Sequence, residues 1–422
     1  MSELEAQKTN PELGANAAPS RWEWLPVAAC AALAVVYFLD PADETTGRFA
    51  LFVALGLLPG TVWRLLGKSS WGVHRACFAL SLVAFVLENP KLRPDRLTLE
   101  KMAENWRLVA LGFLISFSQS LWGTLRIHRL LNDSGVDISL FEALKLCLSG
   151  AFFNIFLPGS TGGDAYRVYA VTHVYRARFG PALASISVDR LLGLPSLILV
   201  VVAGMLLDYQ FFLSNRVLKG FIPFIAGAGA VCLIMVGYLA FAGKSHRQSL
   251  RSNIREDHAK PRGWFGRTHA MIASNVKRPA TLPLALLYGF VSHLACILSC
   301  LCFGLALGVQ GVPSFRYFLI VPLAMTINAI PLTPGGVGQG ELAMATLLDM
   351  ASPGMGNDQV GVMIMLLFRL SNMAVGLIGG GCYILGKLGS GERGHVSEDF
   401  RRDLAESAAV MERGGEGEDE WR

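Results

Sequence analysis

Long apolar stretches dominate the chain, and short polar or basic segments separate them without the alternation typical of a soluble core. A membrane-spanning helix needs about 20 mostly apolar residues. Stretches of this kind lie at residues 24–39, 49–66, 72–87, 108–125, 182–207, 219–242, 282–308 and 359–386. The pattern predicts an all-α polytopic membrane protein with about eight transmembrane helices.

Two further apolar segments are interrupted by proline and glycine. Residues 139–157 lead into the run Leu157-Pro158-Gly159-Ser160-Thr161-Gly162-Gly163-Asp164, and residues 316–330 lead into Pro331-Leu332-Thr333-Pro334-Gly335-Gly336-Val337-Gly338-Gln339-Gly340-Glu341. Each break is followed by a short apolar helix, so we expect two re-entrant helical hairpins. Irregular backbone at membrane depth must line a cavity or be buried in protein, which predicts that both breaks line a site.

Charge placement predicts the topology. Residues 244–278 carry nine basic side chains and two acidic ones, which is typical of a cytoplasmic loop. Counting outward from this loop puts both termini in the cytoplasm and gives the two hairpins opposite polarity, as in an inverted repeat. By this count the loop 88–107, which contains both basic and acidic residues, lies on the outer side of the membrane despite its five basic residues. We expect the basic loop to attract anionic lipid and not nucleic acid.

Composition supports a membrane protein, which we expect in the cytoplasmic membrane. Hydrophobic residues make up 52% of the chain and charged residues 16%, against about 25% charged in soluble domains. The eight cysteines lie in apolar runs without zinc-ligand spacing, and the chain has no P-loop or nucleophile elbow. We therefore predict no metal and no cofactor. The expected domains are a disordered N-terminus (1–21), two extra transmembrane helices (22–70), a transmembrane domain (71–390) and a charged cytoplasmic tail (391–422).

The first break carries candidate anion-binding groups. Gly162 and Gly163 precede a new helix, whose N-terminal N–H groups and dipole favour a phosphate. Asp164 is alternatively a cap for that helix. Arg167, one turn later, suits a phosphate or an i,i+3 pair with Asp164. The amide of Asn154, like that of Asn328 before the second break, is a candidate partner for backbone groups freed by the turn.

Further candidates lie in the long apolar segments and at the second break. Asp189 and Arg190 either bind a ligand or have a structural role, such as setting the membrane topology. Arg369 lies deep in an apolar run and is expected to be a site residue because an unpaired arginine is costly there. Glu341 could cap a helix, balance an arginine or carry protons. His293 is a proton relay or a packing residue. The predicted substrate-binding residues are Asn154, Gly162, Gly163, Asp164, Arg167, Asp189, Arg190, Gly335, Gly336, Glu341 and Arg369.

Four of these motifs occur in the order and spacing of a known family. They are Asn154–Arg167 (NIFLPGSTGGDAYR), Val188–Gly193 (VDRLLG), Pro331–Glu341 and Phe368–Leu370 (FRL). The chain resembles, over roughly residues 75–390, the lysylphosphatidylglycerol synthase transmembrane-region family, also called flippase-like domain proteins. The resemblance implies a membrane module that moves lipids or lipid-linked molecules between leaflets. Bifunctional relatives carry a soluble aminoacyl-transferase domain, for which the roughly 35 residues after the last predicted helix leave no room.

Three functions are consistent with these residues. The favoured one is a translocase whose arginines hold the anionic head group of a phospholipid or a polyprenyl-linked lipid. The second is a membrane-embedded transferase that acts on a polyprenyl-phosphate or phospholipid through a carboxylate such as Asp164, Asp189 or Glu341. The third is a non-transporting scaffold for a lipid-modifying enzyme, in which the arginines are replaceable.

Overall fold

The computed structural model describes residues 96–156, 162–175, 177–251, 278, 280–329 and 338–389. Within these residues the chain is helical and forms no strand. A 3₁₀ turn, Ser314–Arg316, precedes the tenth of the helices. The helices are α1 (Arg96–Glu104), α2 (Trp106–Ser134), α3 (Leu140–Phe156), α4 (Gly162–His173), α5 (Phe179–Leu207), α6 (Tyr209–Ser214), α7 (Arg216–Gly220), α8 (Ile222–Arg251), α9 (Thr281–Leu307), α10 (Tyr317–Ala329), α11 (Gln339–Ala351) and α12 (Asn357–Gly389).

Five helical segments are long and apolar enough to cross a bilayer. They are Trp106–Ser134, Phe179–Leu207, Arg216–Phe241, Thr281–Leu307 and Asn357–Leu385. They coincide with the last five of the eight stretches predicted from the sequence, and the chain is a multi-pass membrane protein. The first three predicted spans, the N-terminal segment and the charged tail lie outside the described residues.

Local sequence signals account for several helix ends. Ser139 and Glu142 form a reciprocal capping box at the start of α3, with the Ser139 N–H donating to Glu142 Oε2 at 2.7 Å and the Glu142 N–H donating to Ser139 Oγ at 3.2 Å. The hydrogen bond from the Ser139 backbone lowers the pKa of the Glu142 carboxyl. Helices α2 and α9 end at Gly135 and Gly308, whose φ angles of 96° and 75° favour glycine.

The helices beside the two breaks are too short to span a membrane. Helix α3 has 17 residues, α4 has 12, and α10 and α11 have 13 each. At 1.5 Å per residue they are about 18–26 Å long, against about 30 Å for the hydrocarbon core. Helix α3 packs against α4, and α10 packs against α11. We call these the first and second helix pairs; that they re-enter on one side of the membrane stays a prediction. Residues 157–161 and 330–337, between the two members of each pair, lie outside the described residues.

The order of helices occurs twice along the chain. A long helix, a helix pair and a second long helix follow one another as α2–α3–α4–α5 and again as α9–α10–α11–α12, with α6 to α8 between them. The two first helices, α2 and α9, pack directly together. Their approach is close, because Ser299 Oγ donates to the Gly112 carbonyl at 2.8 Å and a Cβ on Gly112 would clash with the Phe303 ring.

Each repeat's last helix packs on the other repeat's helix pair. Helix α5 packs against α10, and α12 packs against α3. A glycine permits each contact: a Cβ on Gly204 would overlap the Phe318 carbonyl, and a Cβ on Gly379 would overlap the Leu148 carbonyl. Tyr383 of α12 adds an edge contact to the Phe153 ring, with the ring centroids 5.5 Å apart. The two repeats are therefore interlocked and not merely adjacent.

We expect Gly379→Ala to destabilise the protein, because the added methyl meets the backbone of α3 and not a movable side chain. Overpacking of this kind costs about 1–3 kcal/mol. The measurement is thermal unfolding in detergent, followed by the loss of the monodisperse peak in size-exclusion chromatography.

The control for this substitution is Gly381→Ala, two residues further along α12, where a Cβ meets nothing within 4 Å. In a helix, alanine is favoured over glycine, so this variant should be as stable as the wild type or slightly more stable. Equal melting temperatures for the two variants would contradict the close α3–α12 contact.

Candidate functional site

Asp164, in the first turn of α4, accepts hydrogen bonds from two arginines. Arg190 of α5 forks onto it, with Nε 2.5 Å from Oδ2 and Nη2 2.7 Å from Oδ1. Arg167 Nη1, one turn along α4, donates to the same Oδ1 at 3.1 Å. The side chains of Asp164 and Arg167 are 15% and 14% exposed, whereas that of Arg190 is 50% exposed. Two guanidinium groups thus share one carboxylate, and one of them is open to the surroundings.

Asn154 and two glycines set the spacing of α3 and α4 beside this cluster. The Gly163 N–H donates to Asn154 Oδ1 at 2.6 Å, and a Cβ on Gly163 would overlap the Gly150 carbonyl of α3. Arg167 lies against α3, where Nη2 donates to the Cys147 carbonyl at 3.4 Å. Its Nε is buried and has no hydrogen-bond acceptor among the residues the structure describes. The close approach of α3 and α4 therefore presses Arg167 into the interface between them.

Asp189 and Arg190 are adjacent in sequence but have different partners. Asp189 is buried against α2, where Arg126 Nε lies 2.6 Å from Oδ1 and Nη2 lies 3.1 Å from Oδ2. Successive residues on a helix are about 100° apart, so the Asp189–Arg126 pair fixes the rotation of α5 that directs Arg190 to α4. Nearby, His293 Nε2 of α9 lies 3.3 Å from the Gly193 carbonyl, a hydrogen bond that favours the packing role for this histidine.

The second break has a similar acid–arginine pair. Arg369 of α12 forms a two-pronged pair with Glu341, in which Nε contacts Oε1 and Nη2 lies 3.1 Å from Oε2. The same Nη2 donates to Asn328 Oδ1 at the end of α10, at 2.9 Å. Glu341 Oε2 also accepts the Gly338 N–H at 2.8 Å. Glu341 therefore both caps α11 and balances an arginine, two of the roles open to it from sequence.

The two clusters occupy equivalent places in the repeat. Each acid lies in the first turn of the second helix of a pair, and its arginine follows 26 residues later for Asp164 and 28 residues later for Glu341. Arg190 is 11 residues beyond the start of α5 and Arg369 is 12 beyond the start of α12, about 16–18 Å at 1.5 Å per residue. In both repeats, an ion pair thus joins the helix pair to the long helix that follows it.

The charge balance differs between the clusters. The first cluster holds three arginines (Arg126, Arg167 and Arg190) and two acids (Asp164 and Asp189). The second cluster holds one arginine (Arg369) and one acid (Glu341). The intervening residues 157–161 and 330–337 contain no charged side chain in the sequence. Counting these side chains, the first cluster carries one surplus positive charge and the second is neutral.

The sequence-predicted residues fall into these two clusters. The first contains Asn154, Gly163, Asp164, Arg167, Asp189 and Arg190, with Gly162 at the start of α4; the second contains Glu341 and Arg369. Gly335 and Gly336 lie outside the described residues. The contacts tie each cluster to its own repeat, and that both breaks face one shared cavity stays a prediction. Substrate binding by any of these residues also stays a prediction.

Two partners of the site residues are not predicted from the sequence. Arg126, which binds Asp189, is not among the predicted site residues, and Asn328 is predicted only as a partner for backbone groups, although its side chain binds Arg369. A signal for the first exists: Arg126 and Asp189 are opposite charges inside two apolar helices, and buried charges of this kind are found paired. No comparable sequence signal links Asn328 to a side chain 41 residues away.

We expect Arg126→Met and Asp189→Asn each to destabilise the protein, because each leaves a charge without its partner inside the helix bundle. Breaking a buried pair in this way costs about 3–5 kcal/mol. The double variant Arg126→Met/Asp189→Asn should lose much less than the sum of the two single losses. Melting temperatures in detergent give this double-mutant cycle, and losses that add within about 0.5 kcal/mol would argue against a direct pair.

Comparison with known proteins agrees with a membrane protein. Residues 49–380 match the family model described as the lysylphosphatidylglycerol synthase TM region. The match begins upstream of residue 71, where the sequence predicts the start of this domain, and that boundary stays a prediction. No curated protein and no solved structure matches the chain. Because the family model covers well over half of the chain, this membrane protein belongs to the lysylphosphatidylglycerol synthase transmembrane-region family.

Proposed function

We propose that the chain is a translocase for an anionic lipid or lipid-linked precursor, with the head group bound beside the first break. The observation that carries the proposal is the sharing of Asp164 by Arg167 and Arg190, which leaves one surplus positive charge. Half of the Arg190 side chain is exposed although the residue lies within a candidate membrane span. A charge in that position needs water, a lipid head group or a ligand beside it.

The chemistry of Arg190 favours phosphate over other anions. A guanidinium group presents parallel N–H donors that match two phosphate oxygens, and such charge-assisted bonds are about twice as strong as neutral ones. The amide of Gly163 already donates to Asn154, so the arginines and not that backbone amide supply the binding groups in this proposal. The acyl or prenyl tail would remain in the bilayer, where apolar side chains such as Leu183 and Leu194 of α5 are exposed.

In this proposal the two helix pairs are re-entrant hairpins of opposite polarity, and the second break completes the site opposite the first. Their short helices and the twofold order of helices support this arrangement. Gly335, Gly336, Glu341 and Arg369 would then lie on the far side of the bound head group. We place the protein in the cytoplasmic membrane with both termini inside, on the strength of the basic loop 244–278.

The transferase alternative is less well supported. A general base needs a carboxylate free to accept a proton from the substrate. Asp164, Asp189 and Glu341 are each engaged by an arginine. Incubating purified protein with labelled polyprenyl-phosphate or phospholipid separates the two functions, since a transferase yields a chemically altered lipid and a translocase does not.

We expect Arg190→Gln to slow leaflet exchange of a fluorescent anionic phospholipid in reconstituted liposomes by about tenfold or more, the effect of losing a bidentate ionic contact worth at least about 1.4 kcal/mol. The measurement is the fraction of labelled lipid that a membrane-impermeant quencher reaches over time. Exchange is compared at equal amounts of monodisperse, folded protein.

The matched control is Arg178→Gln, an exposed arginine at the N-terminal end of the same helix, outside the cluster. It should retain the wild-type exchange rate. Folded wild-type protein that exchanges no anionic lipid would overturn the translocase proposal. Wild-type exchange rates in Arg190→Gln would instead show that Arg190 does not hold the head group during exchange.

A further inference from the structure

The Asp164 carboxylate accepts hydrogen bonds from Arg190 in the same geometry as a phosphate would. Its two oxygens accept the Nε and Nη2 donors of Arg190 at 2.5 and 2.7 Å, side by side, as two oxygens of a phosphate accept a guanidinium fork. The carboxylate therefore occupies the donors that an anionic head group needs. A head group can bind Arg190 through that face only by displacing Asp164.

The first cluster tolerates this displacement because Asp164 has a second cation. Arg167 Nη1 lies 3.1 Å from Asp164 Oδ1, so the carboxylate stays paired when Arg190 turns to a ligand. The cost of leaving a buried charge without a partner is thereby avoided. Arg190 is also free to turn, since its side chain is half exposed whereas that of Asp164 is 15% exposed.

The second cluster lacks this spare cation among the described residues. Glu341 pairs with a single arginine, Arg369, and its other described partner is the uncharged Gly338 N–H. The Glu341 and Arg369 side chains are 7% and 21% exposed, so the pair is more enclosed than Asp164–Arg190. Exchange of partners is therefore favoured at the first break over the second.

From this difference we propose that Asp164 is a built-in competitor of the lipid head group and not one of its ligands. It holds Arg190 when no lipid is bound, and it yields Arg190 to the head group while keeping Arg167. The inference rests on the proposed translocase function and assigns Asp164 a role opposite to that of the arginines around it.

The exchange of partners also breaks an ion pair between α4 and α5. Among the described residues, Asp164–Arg190 is the ion pair that joins α4 to α5. When the head group takes Arg190, the first helix pair loses this ion pair to α5. Binding of an anionic lipid is thus coupled to loosening of the first helix pair, as a carrier that must open on both sides requires.

The test compares the wild type with Asp164→Asn in their binding of a short-chain phosphatidylglycerol. The control lipid is phosphatidylcholine of the same chain length, which has no net charge. Each lipid is titrated into the full-length protein in detergent by calorimetry. Removing the competing charge should tighten phosphatidylglycerol binding by about fivefold or more, a typical coupling factor, and leave phosphatidylcholine binding unchanged. Asp164→Glu, which keeps the charge, should bind within about twofold of wild type.

Unchanged or weaker phosphatidylglycerol binding by Asp164→Asn, in a protein whose wild type binds this lipid, overturns the inference and leaves the proposed function intact. Absence of phosphatidylglycerol binding in wild type and variant, together with absence of leaflet exchange in the liposome assay, overturns both. If Asp164→Asn does not fold, the same comparison is made between Arg167→Gln and Arg167→Gln/Asp164→Asn, where the double variant has the same net charge as the wild-type cluster. Tighter binding by the double variant is expected, and equal or weaker binding overturns the inference.

Discussion

A charged side chain inside a membrane helix must have a partner, and this requirement organises the described part of the chain. Arg190 and Arg369 lie about eleven residues into long apolar helices, where an isolated arginine would be costly. Each is neutralised by an acid in the first turn of a short helix that follows a proline-glycine break. The ion pairs thereby join the irregular segments of the protein to its long helices.

The same two long helices also connect the repeats. Helix α5 carries Arg190 to the first helix pair while Gly204 packs against the second, and α12 carries Arg369 to the second pair while Gly379 packs against the first. A displacement of either helix pair therefore changes the surface on which a helix of the other repeat packs. The first cluster is the one suited to rearrangement, because the Asp164 carboxylate has two arginine partners, Arg167 and Arg190.

The sequence carries information on length and local chemistry, and these were predictable. Run length located the five spans, the described helices α3 and α10 end just before the proline-glycine runs, and the Ser139–Glu142 spacing matches a capping box. Pairing across the fold was not predictable, because it depends on how each helix is rotated. Opposite charges in two apolar helices indicate that Arg126 needs an acidic partner, but nothing local indicates that this partner is Asp189, 63 residues away, or that Asp189 faces α2 while its neighbour Arg190 faces α4.

In the proposed function, an anionic head group binds Arg190 beside the first break. The most direct measurement is a cryo-electron microscopy map of the wild-type protein in nanodiscs rich in phosphatidylglycerol. We predict head-group density within hydrogen-bonding distance of the Arg190 guanidinium, with Asp164 turned to Arg167. A map in which Asp164 and Arg190 remain paired and the bound head group lies away from both breaks would contradict binding at Arg190.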